Sequence, residues 1–181
     1  GRPLTLILPL TLTDGHRRRL AVLKQYDVVF RTDAQSLTQE AASGILSLGP
    51  RRKVFEITPT DLTKALVEGL KRVKQYETRV MVPDGQVLSA EELKVLGALS
   101  GSKEVVVAVD YPAEAMARLL AIKNLRLLLR VRGSGPDQEL AKTLTRFKKA
   151  HIGLWTRGLI KREELPNYRM IGNLKLLVMS V

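Results

Sequence analysis

The chain has 181 residues, 45% of them hydrophobic, which is enough to enclose an apolar core within one domain. It contains no cysteine, which excludes disulfide bonds and thiolate metal sites and is compatible with a cytoplasmic protein. Its apolar runs are too short for a transmembrane helix. Thirty Lys and Arg residues against 18 Asp and Glu residues give a formal net charge of +12, which favours a polyanionic partner.

Eight short apolar runs recur along the chain, separated by stretches of helix-forming residues. We predict β-strands at 4–12, 26–31, 53–57, 78–82, 104–109, 125–131, 151–155 and 174–181. Regular alternation of strand and helix predicts a parallel sheet, and eight such units are the number that closes a barrel. We therefore predict one α/β domain over residues 1–181, a compact (βα)8 barrel of the TIM type. A doubly wound parallel sheet is the alternative.

The segments between the runs carry helix signals. Apolar residues share one helical face within 36–48, and Thr60 or Asp61 can cap the helix that follows the third strand. Ser89 and Glu92 have the spacing of a capping box and predict a helix start after the fourth strand. The last crossover, 157–170, contains Pro166 and is predicted as one short helix followed by a loop.

Polar residues follow several of the predicted strands, where the active sites of barrels lie. The aspartates are Asp33, Asp84 and Asp110, and the arginines are Arg31, Arg130, Arg132 and Arg157. Carboxylates that face arginines at this edge could form an acid–base site with an anion clamp. An aspartate after a strand is also a common helix cap or turn residue, and we favour that interpretation.

The sequence offers no sign of a metal site or a bound cofactor. His16 and His151 are its two histidines, and neither belongs to a pair with metal-ligand spacing, so we interpret both as structural or surface residues. No phosphate-binding loop occurs, and the glycines at 133 and 135 lack the rest of a dinucleotide-binding fingerprint. We predict no metal and no cofactor.

The basic residues are spread over many crossovers, and only three Phe, one Trp and four Tyr accompany them. This composition argues against a platform that stacks single-stranded bases and favours contacts to the backbone of structured RNA. No segment has the amphipathic pattern of a membrane-surface helix. The residues that we predict to bind RNA are Arg17, Arg18, Arg19, Arg51, Arg52, Lys53, Arg130, Arg132 and Arg157.

The segment 115–132, Ala-Met-Ala-Arg-Leu-Leu-Ala-Ile-Lys-Asn-Leu-Arg-Leu-Leu-Leu-Arg-Val-Arg, resembles the central region of a known family. That family is archaeal ribonuclease P protein component 3, the TIM-barrel subunit of ribonuclease P. Its pattern is a helix that leads through a Lys-Asn turn into an apolar strand ending in Leu-Arg. Residues 26–29 are similar to its second strand, and 165–172 to its approach to the last strand.

The resemblance implies a basic, metal-free barrel that supports the RNA catalyst in 5′ maturation of precursor tRNA, alongside a small partner protein. Its expected RNA partners are ribonuclease P RNA and precursor tRNA, and the chain itself is not expected to cleave RNA. Two other classes stay open: a small-molecule barrel enzyme that uses the Asp/Arg rim, and a structural ribosomal or general RNA-binding protein.

Overall fold

The computed structural model describes residues 4–7, 24, 27–32, 37, 39–49, 52–73, 75–131, 138–145, 151–157, 162–170 and 174–180. The chain divides into two compact units. Unit 1 consists of Gly1–Met81 and Leu88–Lys103, and unit 2 of Val82–Val87 and Glu104–Val181. The prediction of one domain over 1–181 stays a prediction.

Unit 1 alternates strands with helices. Its elements are β1 (Leu4–Ile7), β2 (Asp27–Arg31), α1 (Gln39–Leu48), β3 (Arg52–Ile57), a 3₁₀ turn (Pro59–Asp61), α2 (Lys64–Lys71), β4 (Glu77–Met81) and α3 (Ala90–Ala98). The pairs β1–β2, β2–β3 and β3–β4 are all parallel. Neighbouring strands therefore follow one another in chain order.

Unit 2 repeats this plan. Its elements are β5 (Ser102–Ala108, whose first two residues belong to unit 1), α4 (Ala113–Leu120), β6 (Leu125–Val131), α5 (Gln138–Thr145), β7 (His151–Arg157), a 3₁₀ turn (Arg162–Glu164), α6 (Leu165–Met170) and β8 (Leu174–Ser180). The pairs β6–β7 and β7–β8 are parallel, with a register shift between Ile152 and Gly153. The protein is thus an α/β fold in which parallel strands alternate with helices, as the sequence predicts.

The strand positions confirm the apolar-run predictions, with small differences at the ends. Strand β6 has the predicted bounds, whereas β3, β4 and β5 begin one or two residues earlier and β7 continues to Arg157. For the first run, the structure describes the strand Leu4–Ile7, and the predicted continuation to residue 12 lies outside the described residues. Apolar runs locate strands well because parallel strands are buried on both faces. Val105, Val106 and Val107 in β5 are completely buried.

An aromatic cluster forms part of the core of unit 1. Phe30 and Phe55 stack with ring centroids 5.4 Å apart, and Tyr76 meets Phe55 edge-on at 5.9 Å. Both phenylalanines are completely buried, and the Tyr76 hydroxyl shares a 2.8 Å hydrogen bond with the Ser100 hydroxyl. Aromatic pairs in these geometries add about 0.5–1.5 kcal/mol beyond the burial of their area.

The helix starts confirm one sequence prediction and correct two others. Ser89 caps α3, and its side chain and that of Glu92 form the predicted capping box. The cap of α2 is Thr63, not Thr60 or Asp61, because Thr58 and Asp61 use their side chains in a separate capped 3₁₀ turn. The region of Pro166 is helical and not a loop: this proline is the second residue of α6, where its missing N–H costs no hydrogen bond.

Candidate functional site

The structure describes four of the nine residues that the sequence predicts to bind RNA: Arg52, Lys53, Arg130 and the backbone of Arg157. Arg157 is the last residue of β7. The other five, which are Arg17, Arg18, Arg19, Arg51 and Arg132, lie outside the described residues, as do Asp33 and His16. Their roles stay predictions.

Arg52 forms a two-pronged ion pair with Glu77. Its Nε donates to Oε1 at 2.7 Å, and its Nη2 contacts Oε2, with both side chains about one-third exposed. Lys53 projects from the opposite face of β3, because side chains alternate along a strand, and its Nζ lies 3.5 Å from the carbonyl oxygen of Gln75. These two neighbours in sequence therefore do not share one surface.

Arg130, on β6, is also held by a carboxylate. Its Nη2 donates to Asp84 Oδ1 at 2.7 Å and to the carbonyl oxygen of Val82 at 3.1 Å. The sequence places Asp84 in a turn, and the structure confirms this, since Gly85 has a φ of +75°. Asp84 thus combines two of the sequence interpretations: it is a turn residue, and it faces an arginine at the carboxyl end of a strand.

Asp110 is exposed in the turn after β5. It does not cap α4, whose N-cap residue is Pro112, so of the two interpretations, helix cap or turn residue, the structure agrees with the turn for this aspartate. Together with Pro83, Gln86 and Tyr111 it lines a cavity of about 140 Å³. The wall of this cavity thus includes residues on either side of Asp84 in sequence, so the Arg130–Asp84 pair lies close to it.

Two further ionisable groups, His151 and Lys103, lie at the amino ends of their strands. His151 is exposed at the first residue of β7. Lys103, near the start of β5, is largely buried, and desolvation lowers the pKa of its ammonium group. Both are at the amino ends of their strands, whereas the sites of parallel α/β folds lie at the carboxyl ends. Among the described residues, no cluster of three or more His, Asp or Glu side chains could hold a metal ion.

Unit 1 contains a group of three charged residues that the sequence does not predict to lie together. Arg31 on β2, Glu56 on β3 and Arg79 on β4 face one another in register across three strands. Arg31 Nε lies 2.8 Å from Glu56 Oε1, and Arg79 Nη1 lies 3.6 Å from Glu56 Oε2. We call these three residues the Arg–Glu–Arg row. The strand register brings these three residues together. A single charged residue within an apolar run does not show which residues of the neighbouring strands will lie beside it.

Several cations in the described part of the chain have no side-chain partner. They are exposed and lie outside the strands: Lys24, Lys64, Arg72, Arg118, Lys142, Arg162 and Arg169. By contrast, the acids Glu56, Glu77, Glu104 and Asp84 are each paired with an arginine that lies on a strand. In the described residues, the strand arginines are therefore largely neutralised, and uncompensated positive charge lies on helices and turns.

None of the described helices has the length and apolar character needed to cross a bilayer. Comparison with known proteins found no matching family model, no matching curated protein and no matching solved structure. The fold and the charge distribution therefore carry the functional argument.

Proposed function

We propose that this chain is a basic protein that binds structured RNA through many separate contacts to the phosphate backbone. The distribution of charge is the observation that supports this most directly. Unit 1 contains 16 Lys and Arg against 10 Asp and Glu, and unit 2 contains 14 against eight, so each has a formal charge of +6. An excess of this size in both units suits binding that depends on phosphate contacts more than on base contacts.

More specifically, we propose a non-catalytic subunit of ribonuclease P that supports the RNA catalyst in 5′ maturation of precursor tRNA, in the cytoplasm and with a small partner protein. The resemblance over 115–132 supports this proposal. In that segment α4 leads through a turn into β6, and Asn124 in the turn has a φ of +57°, a backbone conformation that asparagine tolerates well.

The finer fold that we propose is a closed (βα)8 barrel. Within each unit the strands follow chain order, as they do around a barrel. A doubly wound sheet instead reverses its strand order at a switch point, and the described strands of each unit show no such reversal.

Reconstituted cleavage of precursor tRNA tests the function. We expect no cleavage by the protein alone and, with the catalytic RNA and the partner protein, cleavage at lower magnesium, because cationic side chains replace counterions on the RNA. Replacing Arg17, Arg18 and Arg19 together with Ala should weaken RNA binding. The salt dependence of binding should fall by a slope of about 0.9 per lost duplex phosphate contact. An unchanged slope would remove this cluster from the interface.

The Arg130–Asp84 pair beside the cavity favours a second candidate, a small-molecule enzyme with an Asp/Arg rim. The two candidates differ in what Asp84→Asn does. As a turn residue and ion-pair partner, Asp84 should be dispensable for stimulation of the catalytic RNA once circular dichroism shows a folded protein. Turnover of a metabolite by the protein alone, abolished by Asp84→Asn, would establish the enzyme instead.

A further inference from the structure

The cavity that Asp110 lines is formed by two turns of unit 2, and a backbone hydrogen bond closes each turn. In the turn after β4, the Gln86 N–H donates to the Pro83 carbonyl oxygen at 3.2 Å. In the turn after β5, the Tyr111 N–H donates to the Ala108 carbonyl oxygen at 3.1 Å. The backbone of both walls is therefore held by its own hydrogen bonds.

The cavity lies where ligands bind in parallel α/β folds. Its two turns follow β4 and β5 at the carboxyl ends of these strands. The Val82 N–H donates to the Val106 carbonyl oxygen at 2.9 Å, so the segment that follows β4 is bonded to β5. All the residues that line the cavity belong to unit 2. The cavity is therefore complete within one compact unit.

Asp110 is the carboxylate that this cavity leaves for a ligand. It lines the cavity, is exposed, and makes no hydrogen bond or ion pair in the described part of the chain. Asp84, in the other turn, is instead held by Arg130 at 2.7 Å. Asp110 is therefore the free acidic group of the cavity wall.

The rest of the cavity wall suits a carbon chain. Apart from Asp110, Gly85 and Gln86, the wall is apolar or aromatic and is formed by Pro83, Val87, Ala108, Tyr111 and Pro112. The volume of about 140 Å³ lies well below the roughly 300–1,000 Å³ of sites for drug-sized molecules. The cavity therefore fits a short chain with one charged end.

The charge balance of this part of unit 2 does not oppose a cation. Residues 82–87 and 104–137 contain five Lys and Arg against five Asp and Glu. The +6 excess of unit 2 therefore comes from 138–181. A carboxylate that lacks a cationic partner attracts a cation, and an exposed ion pair of this kind adds a modest gain in affinity.

We propose that this cavity binds a small primary alkylamine in its ammonium form. The carbon chain lies against the apolar wall, and the ammonium group donates charge-assisted hydrogen bonds to the Asp110 carboxylate. An exposed carboxylate stays hydrated, so we expect dissociation constants in the millimolar range. This inference concerns binding alone and does not rest on the proposed RNA function, because it uses none of the cations that would contact phosphates.

NMR titration with butylammonium, butanol and butanoate tests the preference for a cation, because the three compounds share a carbon chain and differ in charge. We expect saturable shifts in the backbone amide signals of 84–87 and 108–111. Butylammonium should bind about two- to fivefold more tightly than butanol, and butanoate should bind most weakly. Butanol that binds as tightly as butylammonium would overturn the choice of a cation. Titration with butylammonium that gives no saturable shift at these residues would overturn the site.

Matched variants separate Asp110 from a general loss of negative charge. Asp110→Asn keeps the shape of the side chain and should lower the affinity for butylammonium to that for butanol, with butanol binding unchanged. Glu114→Gln removes an exposed carboxylate from the first turn of α4, outside the cavity wall, and should bind butylammonium as the parent protein does. Equal losses in the two variants would overturn the contact with Asp110.

Val87→Ser tests the apolar wall separately from the charge. Val87 lines the cavity and is 45% exposed, so its replacement should leave the fold intact. We expect weaker binding of butylammonium and of butanol alike, because both compounds lose the same apolar contact. Unchanged binding of both would overturn the position of the carbon chain in the cavity.

A blocked lysine, acetylated at its α-amino group and amidated at its carboxyl group, tests where the ammonium group comes from. It presents the same butylammonium group on a peptide backbone. Binding that is weaker than or equal to that of butylammonium supports a free amine as the ligand. Tighter binding that is lost in Asp110→Asn would overturn the small-molecule form and identify the occupant as a lysine side chain of a partner protein.

Discussion

At the scale of single residues, Thr78 is a buried polar group without a partner. It lies on β4, its side chain is completely buried, and its hydroxyl oxygen makes no hydrogen bond. It projects from the face of β4 opposite to Glu77 and Arg79, because side chains alternate along a strand. A hydroxyl that loses its water without gaining a partner lowers stability by about 1–3 kcal/mol.

Thr78→Val should therefore stabilise the protein. Valine has nearly the shape of threonine and no hydroxyl, so the free energy of unfolding should rise by about 1 kcal/mol in urea denaturation. Thr78→Ala removes the hydroxyl and the methyl group together and leaves a small void, so it should gain less or lose stability. A loss of stability in Thr78→Val would show that its hydroxyl has a partner, such as a bound water molecule.

The residues that form ion pairs show which features of single residues can be predicted from the sequence and which cannot. The turn at Asp84 and Gly85 is predictable because its chemistry is local. The partners of Arg52 and Arg130 are not, since 25 and 46 residues separate them from Glu77 and Asp84. Their pairing depends on which residues the strand register and the loops place side by side, and no short-range pattern encodes that.

At the scale of elements, the capping box of α3 gives a direct test of a local sequence signal. The Ser89 side chain accepts a 3.2 Å hydrogen bond from the Glu92 N–H, and Glu92 accepts a 2.7 Å bond from the Ser89 N–H. We expect Ser89→Ala to lower the free energy of unfolding by about 1 kcal/mol. Ser89→Asp keeps a capping oxygen at the helix start and should stay close to the parent protein. Equal losses in the two variants would count against the cap as the cause.

Strands were easier to predict than helix ends. An apolar run is sufficient to locate a strand that is buried on both faces, and the bounds of β6 were predicted to the residue. The start of a helix depends on which of several neighbouring candidate residues forms the N-cap. Thr58, Thr60, Asp61 and Thr63 are all plausible caps for α2, and the 3₁₀ turn that engages Thr58 and Asp61 leaves Thr63 for the helix. The sequence predicts one short helix followed by a loop over 157–170, but the structure continues the helix through Pro166, at a position where a helix tolerates proline.

At the scale of the whole molecule, regular alternation of strand and helix correctly predicts parallel pairing. Each helix carries the chain back to the end of the sheet at which the previous strand began, so the next strand runs in the same direction. The closure of the sheet does not follow from alternation alone. It depends on whether the first and last strands pair with each other, and these strands begin at Leu4 and Leu174, which are 170 residues apart in the sequence.

Barrel closure can be tested by disulfide cross-linking, since the chain has no cysteine of its own. In a closed barrel β1 and β8 are neighbours, so Leu6→Cys combined in turn with Leu174→Cys, Leu176→Cys or Val178→Cys should give at least one rapidly formed disulfide. In an open doubly wound sheet the first and last strands are not neighbours, and their Cα atoms exceed the roughly 7 Å limit for a disulfide.

The pair Asp27→Cys and Arg52→Cys is the positive control, because these residues face each other on the paired strands β2 and β3. Non-reducing electrophoresis detects the cross-link, and mass spectrometry of the digested protein identifies the joined peptides. A cross-link between β1 and β8 that forms as fast as the control establishes the barrel. If the control pair cross-links and every β1–β8 pair stays reduced in folded protein, the sheet is open, because a disulfide forms only where the backbone already holds two cysteines within reach.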